Sequence, residues 1–135
     1  MKNLHCRACD TSGESAELVL GKGEFDCSTG TVKLAGGSGA NAYAKLIIPN
    51  DVNVDPNFKH IELESGGWLD VNDNLDIDEN SKNGYLTITE SSNSYELDVG
   101  DDKTFTVDRL VIDAADGAIS YTPELHSTGK VWTAD

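Results

Sequence analysis

Between Gly67 and Val99 apolar side chains fall on every second position. The series runs Leu69, Val71, Leu75, Ile77, Leu86, Ile88, Tyr95, Leu97 and Val99, with Asp70, Asp76, Asp78, Thr87, Thr89, Glu96 and Asp98 between. Strict alternation requires strands with one buried and one wet face. The breaks at Asn72-Asp73-Asn74 and Ser91-Ser92-Asn93 are turn chemistry, because short polar side chains bond their own main chain there. The stretch therefore reads as two successive hairpins. A three-residue turn in the first sets Val71 opposite Leu75 and Leu69 opposite Ile77, which keeps the apolar face intact. It also sets Asp70 opposite Asp76 on the wet face, where like charges repel. Solvent screens that pair, or a cation bridges it, or the two strands do not pair with each other.

The rest of the chain follows the same grammar. Residues 16–20, 31–35, 42–48, 58–64, 103–113 and 118–122 read as further short strands, and no helix of ordinary length is visible. Pro56 excludes a central strand from the connection 50–57. In 103–113 the apolar phase changes at Asp108-Arg109, as expected of a bulge or a corner where a strand changes sheets. About ten short strands with turns between them predict an all-β fold, an antiparallel β-sandwich or barrel. Leu63, Leu69, Val71, Ile77, Leu86, Ile88 and Leu97 are its expected core. A solenoid is the alternative, argued from the near-repeat WLDVND and NLDIDEN. By length this is one β domain, residues 15–135, preceded by a polar N-terminal arm or knuckle, residues 1–14.

Charge narrows the partners. Ten Lys and Arg stand against 24 Asp and Glu, a formal charge of −14. Such a surface repels nucleic acid and anionic lipid and favours cations or a basic partner. Residues 1–20 contain no apolar leader, and no apolar run approaches a membrane span, so the expectation is a protein made in a reducing cytoplasm. Three cysteines, an odd number, do not form a secreted disulfide framework.

The sharpest local motif is His5-Cys6-Arg7-Ala8-Cys9, with Cys27 further on. Cys-x2-Cys lets two thiolates meet one zinc from a tight knuckle, Cys27 is a third ligand, and His5, His60 or His126 supplies a fourth. The competing reading is three free thiols. Asp70-x-Asn72-x-Asn74 opens like a calcium loop, but Leu75 replaces the glycine and Ser81 the bidentate glutamate, so an EF-hand is excluded. A different calcium site, using Asp70, Asp76 and Asp78, competes with a simple solvated acidic face. No nucleophile, base or phosphate-loop constellation is written in the chain, so no enzyme is expected. Trp68, Tyr85 and Trp132 are candidate anchors for a partner.

In layout the chain resembles the small all-β decoration or accessory proteins of tailed-phage capsids. The shared features are a short acidic β chain, turns rich in Asn, Asp, Gly and Thr, and the polar N-terminal segment MKNLHCRACDTSGES. The resemblance implies a non-enzymatic virion protein, a homotrimer that binds a capsid through its N-terminal segment and stabilises it. An acidic intracellular inhibitor or DNA mimic directed at a basic partner, or a small metal-binding β module, is the alternative.

Overall fold

A computed structural model describes residues 3–7, 15–37, 42–64, 66–77, 84–89, 96–113, 124–127 and 130–133. Among these are β1 (Asn3–Arg7), β2 (Ala16–Val19), β3 (Gly23–Ala35), β4 (Ala44–Ile48), β5 (Val54–Leu63), β6 (Gly67–Val71), β7 (Leu75–Asp76), β8 (Tyr85–Thr89), β9 (Glu96–Val99), β10 (Thr104–Val107), β11 (Arg109–Asp113), β12 (Glu124–Ser127) and β13 (Lys130–Thr133). β1 lies within the segment that reads as an arm and pairs with β3.

The strands make three sheets, ordered β1-β3-β5-β8-β11, β2-β4-β6-β9-β12 and β7-β10-β13. Every pairing between them is parallel. From β5 onward the chain visits the first, second and third sheets in turn, so each coil lies on the one before it as a β-solenoid. In the first two coils the leading halves of β3 and β5 take the place of a separate third strand. They pair from Gly23 and Val54 to Cys27 and Phe58, then slip register before pairing again from Thr31 and His60. β3 carries the extra residues of that bulge.

The expected antiparallel sandwich or barrel is therefore wrong, and so are its hairpins. β6 and β7 lie in different sheets. Leu69 stands level with Leu46 and Leu97, not with Ile77, and Asp70 stands level with Asp98, not with Asp76. The physical reason lies in the turns. A hairpin turn closes its hydrogen bond on itself and reverses the chain. Here the Asn72 amide donates to the Ile48 carbonyl, and the Gly100 amide donates to the Val71 carbonyl. Each of these corners is bonded to the coil beneath it and redirects the strand into the next sheet. At Asp108 the strand does change sheets, from β10 to β11. Pro56 lies inside β5, but in the half that pairs with β3 alone; pairing with β8 begins only at His60. The missing proline N–H thus interrupts no second ladder.

Inside the coils, side chains stack level by level. Leu46, Leu69 and Leu97 form one column, Val32, Ile61 and Leu86 a second, Leu34, Leu63 and Ile88 a third, and Ile48, Val71 and Val99 a fourth. All are buried, and Phe58, Leu75, Ile77 and Phe105 fill the remainder. No polar or charged residue is buried among the described residues. Gly84 seals one corner: its amide donates to Asp108 Oδ2 (2.7 Å) and its carbonyl accepts from the Asp108 and Arg109 amides. A Cβ on Gly84 would collide with the Ile77 carbonyl.

Leu69→Ala and Leu86→Ala should each lower unfolding free energy by about 2–5 kcal/mol, the range for emptying a packed leucine site. Gly84→Ala should also destabilise, because backbone must shift. Val52→Ser, at a residue 94% exposed, should change stability by less than about 0.5 kcal/mol. Urea unfolding followed by circular dichroism measures all four.

Candidate functional site

Parallel stacking sorts the outward side chains into columns as it does the inward ones. On the outer face of the first sheet Asn3, Thr31, His60, Tyr85 and Arg109 stand at successive levels. His60 is tied at both ring nitrogens, Nδ1 to Thr31 Oγ1 at 3.0 Å and Nε2 to Thr87 Oγ1 at 2.9 Å. Its ring stacks on Tyr85 with centroids 3.9 Å apart, and the Arg109 guanidinium lies 4.9 Å from the Tyr85 ring centre. Burial holds the His60 pKa below its ordinary value, and the Arg109 charge pushes the same way.

The neighbouring column holds His5, Lys33, Glu62 and Thr87. Lys33 Nζ pairs with Glu64 and lies 3.7 Å from Glu62. The hydrogen bond to Glu64 is the main reason the Lys33 pKa is raised, against a smaller opposing effect of burial. Between the two columns, near the β1 edge, lies a groove of about 230 Å³ lined by Asn3, Leu4, His5, Thr31, Lys33 and Glu62.

The second sheet presents a different outer face. The Lys45 ammonium sits 4.1 Å above the Trp68 ring, and Tyr43 meets that ring edge-on at 6.0 Å. Lys45 also pairs with Asp70 at 2.8 Å, and Asp70 accepts a second bond from the Asn72 side-chain amide at 2.8 Å. Beside this cluster Val19 and Ile47 stand at adjacent levels, with Val19 55% exposed. Glu17 and Asp98 flank it on the β2 and β9 sides.

The residues expected to carry chemistry are scattered by this geometry. Cys27 is fully buried in the core, level with Phe58. Burial pushes its thiol pKa up, and a hydrogen bond from the Leu4 main chain opposes that only in part. Cys6 stands level with Leu34 on β1, and Cys9 lies outside the described residues. Of the histidines, His5 lies on the groove, His60 is held by two threonines, and His126 stands in β12 level with Asp98. Among the described residues no group of three His, Cys, Asp or Glu side chains is placed to hold a metal ion.

Asp70 belongs to the second sheet. Asp76 belongs to the third, level with Thr106, and Asp78 lies outside the described residues. The aromatic candidates part company too: Tyr85 is on the first sheet, Trp68 on the second, and Trp132 in β13 on the third. Sequence reasoning did not single out Thr31, Lys33, Glu62, Thr87 and Arg109. Their outward phase was readable, but their neighbours are one coil away and have no local signal. Among the described residues no helix is long and apolar enough to cross a membrane. No family model, no curated protein and no solved structure matches the chain.

A histidine with a depressed pKa binds fewer protons folded than unfolded, so stability is full above the unfolded value near 6.5 and falls as pH drops towards the folded one. Between about pH 6.5 and 5, above the carboxylate range, the melting temperature should fall, and in His60→Gln it should fall less. Thermal melts at half-unit pH steps measure this. Cys27 should stay unreactive towards a thiol reagent in the native protein and react only on unfolding, as its burial and raised pKa require.

Proposed function

We propose that this chain is a non-enzymatic binding module that attaches to and stabilises a larger assembly. The assembly favoured is a virion capsid, on which the chain acts as a homotrimeric accessory. The observation that carries the reading is the outer face of the second sheet. Trp68, clamped by Tyr43 and Lys45, lies beside Ile47 and the exposed Val19, with the Lys45–Asp70 ion pair among them and Glu17 and Asp98 on the β2 and β9 sides. An aromatic and aliphatic centre inside a charged rim is the usual anatomy of a protein interface. The packed core supports the same reading, because a stiff body loses little freedom when it docks.

A second reading, an acidic inhibitor or DNA mimic, is favoured by one feature of this face. Glu17 and Asp98 stand on its two sides, within a chain of net charge −14. A surface of net negative charge suits a basic partner.

Co-sedimentation with assembled shells of the encoding virus, together with solution mass by light scattering, tests the proposal. The expected result is a trimer that sediments saturably. Trp68→Ala should weaken binding at least about 30-fold, as truncation of an interface anchor does, with circular dichroism confirming the fold. Attachment should change little between low and high salt. A monomer that ignores shells but binds a basic protein with steeply salt-dependent affinity would favour the second reading.

A further inference from the structure

The groove on the first sheet mixes a cation, a carboxylate and neutral polar groups. Its cation, Lys33, is ligated by two carboxylates, one of them the groove residue Glu62. The Lys33–Glu62–Glu64 triad carries one net negative charge, which repels an anion, while a cation entering the groove meets the Lys33 ammonium that already bridges the two carboxylates. Both signs of charge are therefore poorly rewarded. What the lining offers instead is a dense set of mixed donors and acceptors: the Asn3 amide, the His5 imidazole, the Thr31 hydroxyl, the Lys33 ammonium and the Glu62 carboxylate. Leu4, level with the buried Val32 and packed against the core, completes the lining.

The polar groups are held in place. Asn3 Oδ1 accepts from the Thr31 amide at 3.0 Å, and the Thr31 hydroxyl is fixed by His60 Nδ1 at 3.0 Å. His60 is locked in turn by Thr87 and the Tyr85 ring. Such pre-ordering lowers the entropy lost when a small polar ligand binds. At about 230 Å³ the groove falls below the ~300 Å³ where pockets for drug-sized ligands begin. It has room for one small ring.

We propose that this groove is a binding site for a neutral saccharide unit, held by its hydroxyls against Asn3, His5, Thr31, Lys33 and Glu62. Hydroxyls donate and accept at once, so they can satisfy both kinds of group in the lining. A neutral ring leaves the Lys33–Glu62–Glu64 pairing intact. The site lies on a different sheet from the aromatic face argued above for a protein partner, so the two can be occupied independently. A single ring in an open groove binds weakly, with a Kd on the order of 1–10 mM.

The test is a titration of the full-length 15N-labelled protein, followed by amide chemical shifts. The probes are methyl α-D-glucopyranoside, methyl β-D-galactopyranoside and N-acetylglucosamine, with glucuronate and glucosamine as charged counterparts. The expected result is saturable shifts for at least one neutral sugar, concentrated on residues 3–5, 31–33 and 60–62. The charged counterparts should bind more weakly. Asn3→Ala/His5→Ala should weaken binding roughly tenfold, the loss of about one or two hydrogen bonds. His5→Ala alone, at an exposed position, keeps the test open should the double variant unfold, and should weaken binding severalfold. No shift from any neutral sugar up to about 100 mM, a hundredfold above 1 mM affinity, would overturn the proposal. So would shifts confined to another face, shifts that His5→Ala leaves unchanged, or tighter binding of either charged counterpart.

Discussion

The parallel ladder of backbone hydrogen bonds between one coil and the next is what every other feature of this protein depends on. Each strand finds its partner one turn of the solenoid away, in register, at the ordinary strand separation of about 4.8 Å. That spacing brings like side chains into contact, so leucine packs on leucine in the column Leu46, Leu69, Leu97. The hydrophobic columns and the ladder support each other. A slip of one residue in any coil would turn its whole apolar set outward.

Corners make this stacking possible. They must turn the chain without reversing it, and their main-chain groups must bond to the coil below. Asn72 and Gly100 do so through their amides. Asp102, in the corner after Gly100, takes a left-handed conformation (φ 60°) that aspartate tolerates better than most residues. Lys103 then reaches 3.4 Å from both Asn50 Oδ1 and Asp73 Oδ1, tying the corners of three coils together. The Asn- and Asp-rich composition of the turns thus has a structural use that needs no bound metal.

Outside the core the same register decides which polar groups meet. It places His60 between two threonines and against Tyr85, and it lets Lys33 gather Glu62 and Glu64. On the second sheet it sets Asp70 next to Asp98, where Lys45 and Asn72 hold Asp70 in place. One face is consequently locked into an ion-pair triad and hydrogen bonds, while another combines carboxylates with an aromatic cluster. A chain of charge −14 has distinct faces because the coils sort its side chains by level.

Alternation of apolar and polar residues is enough to establish that this chain is built of short strands with one apolar face. The alternation at Leu69, Val71, Leu86 and Ile88 identified buried residues correctly, and the phase change at Asp108 located a corner between sheets. Alternation does not say which strand lies beside which. A hairpin and a solenoid corner both join two half-buried strands through a few Asn and Asp residues, and an outward-polar, inward-apolar pattern ordinarily signals antiparallel pairing. Nor did a repeat betray the coils: the steps from Val32 to Ile61, Leu86 and Leu110 are 29, 25 and 24 residues. The near-repeat at Leu69 and Leu75 joins two different sheets. It is the stacking of the coils that makes the ladders parallel, parts Trp68, Tyr85 and Trp132 onto three sheets, and seats His60 between Thr31 and Thr87. Those neighbours are some 25–30 residues apart along the chain, and the backbone bonds of the intervening coil, not any local propensity, bring them level.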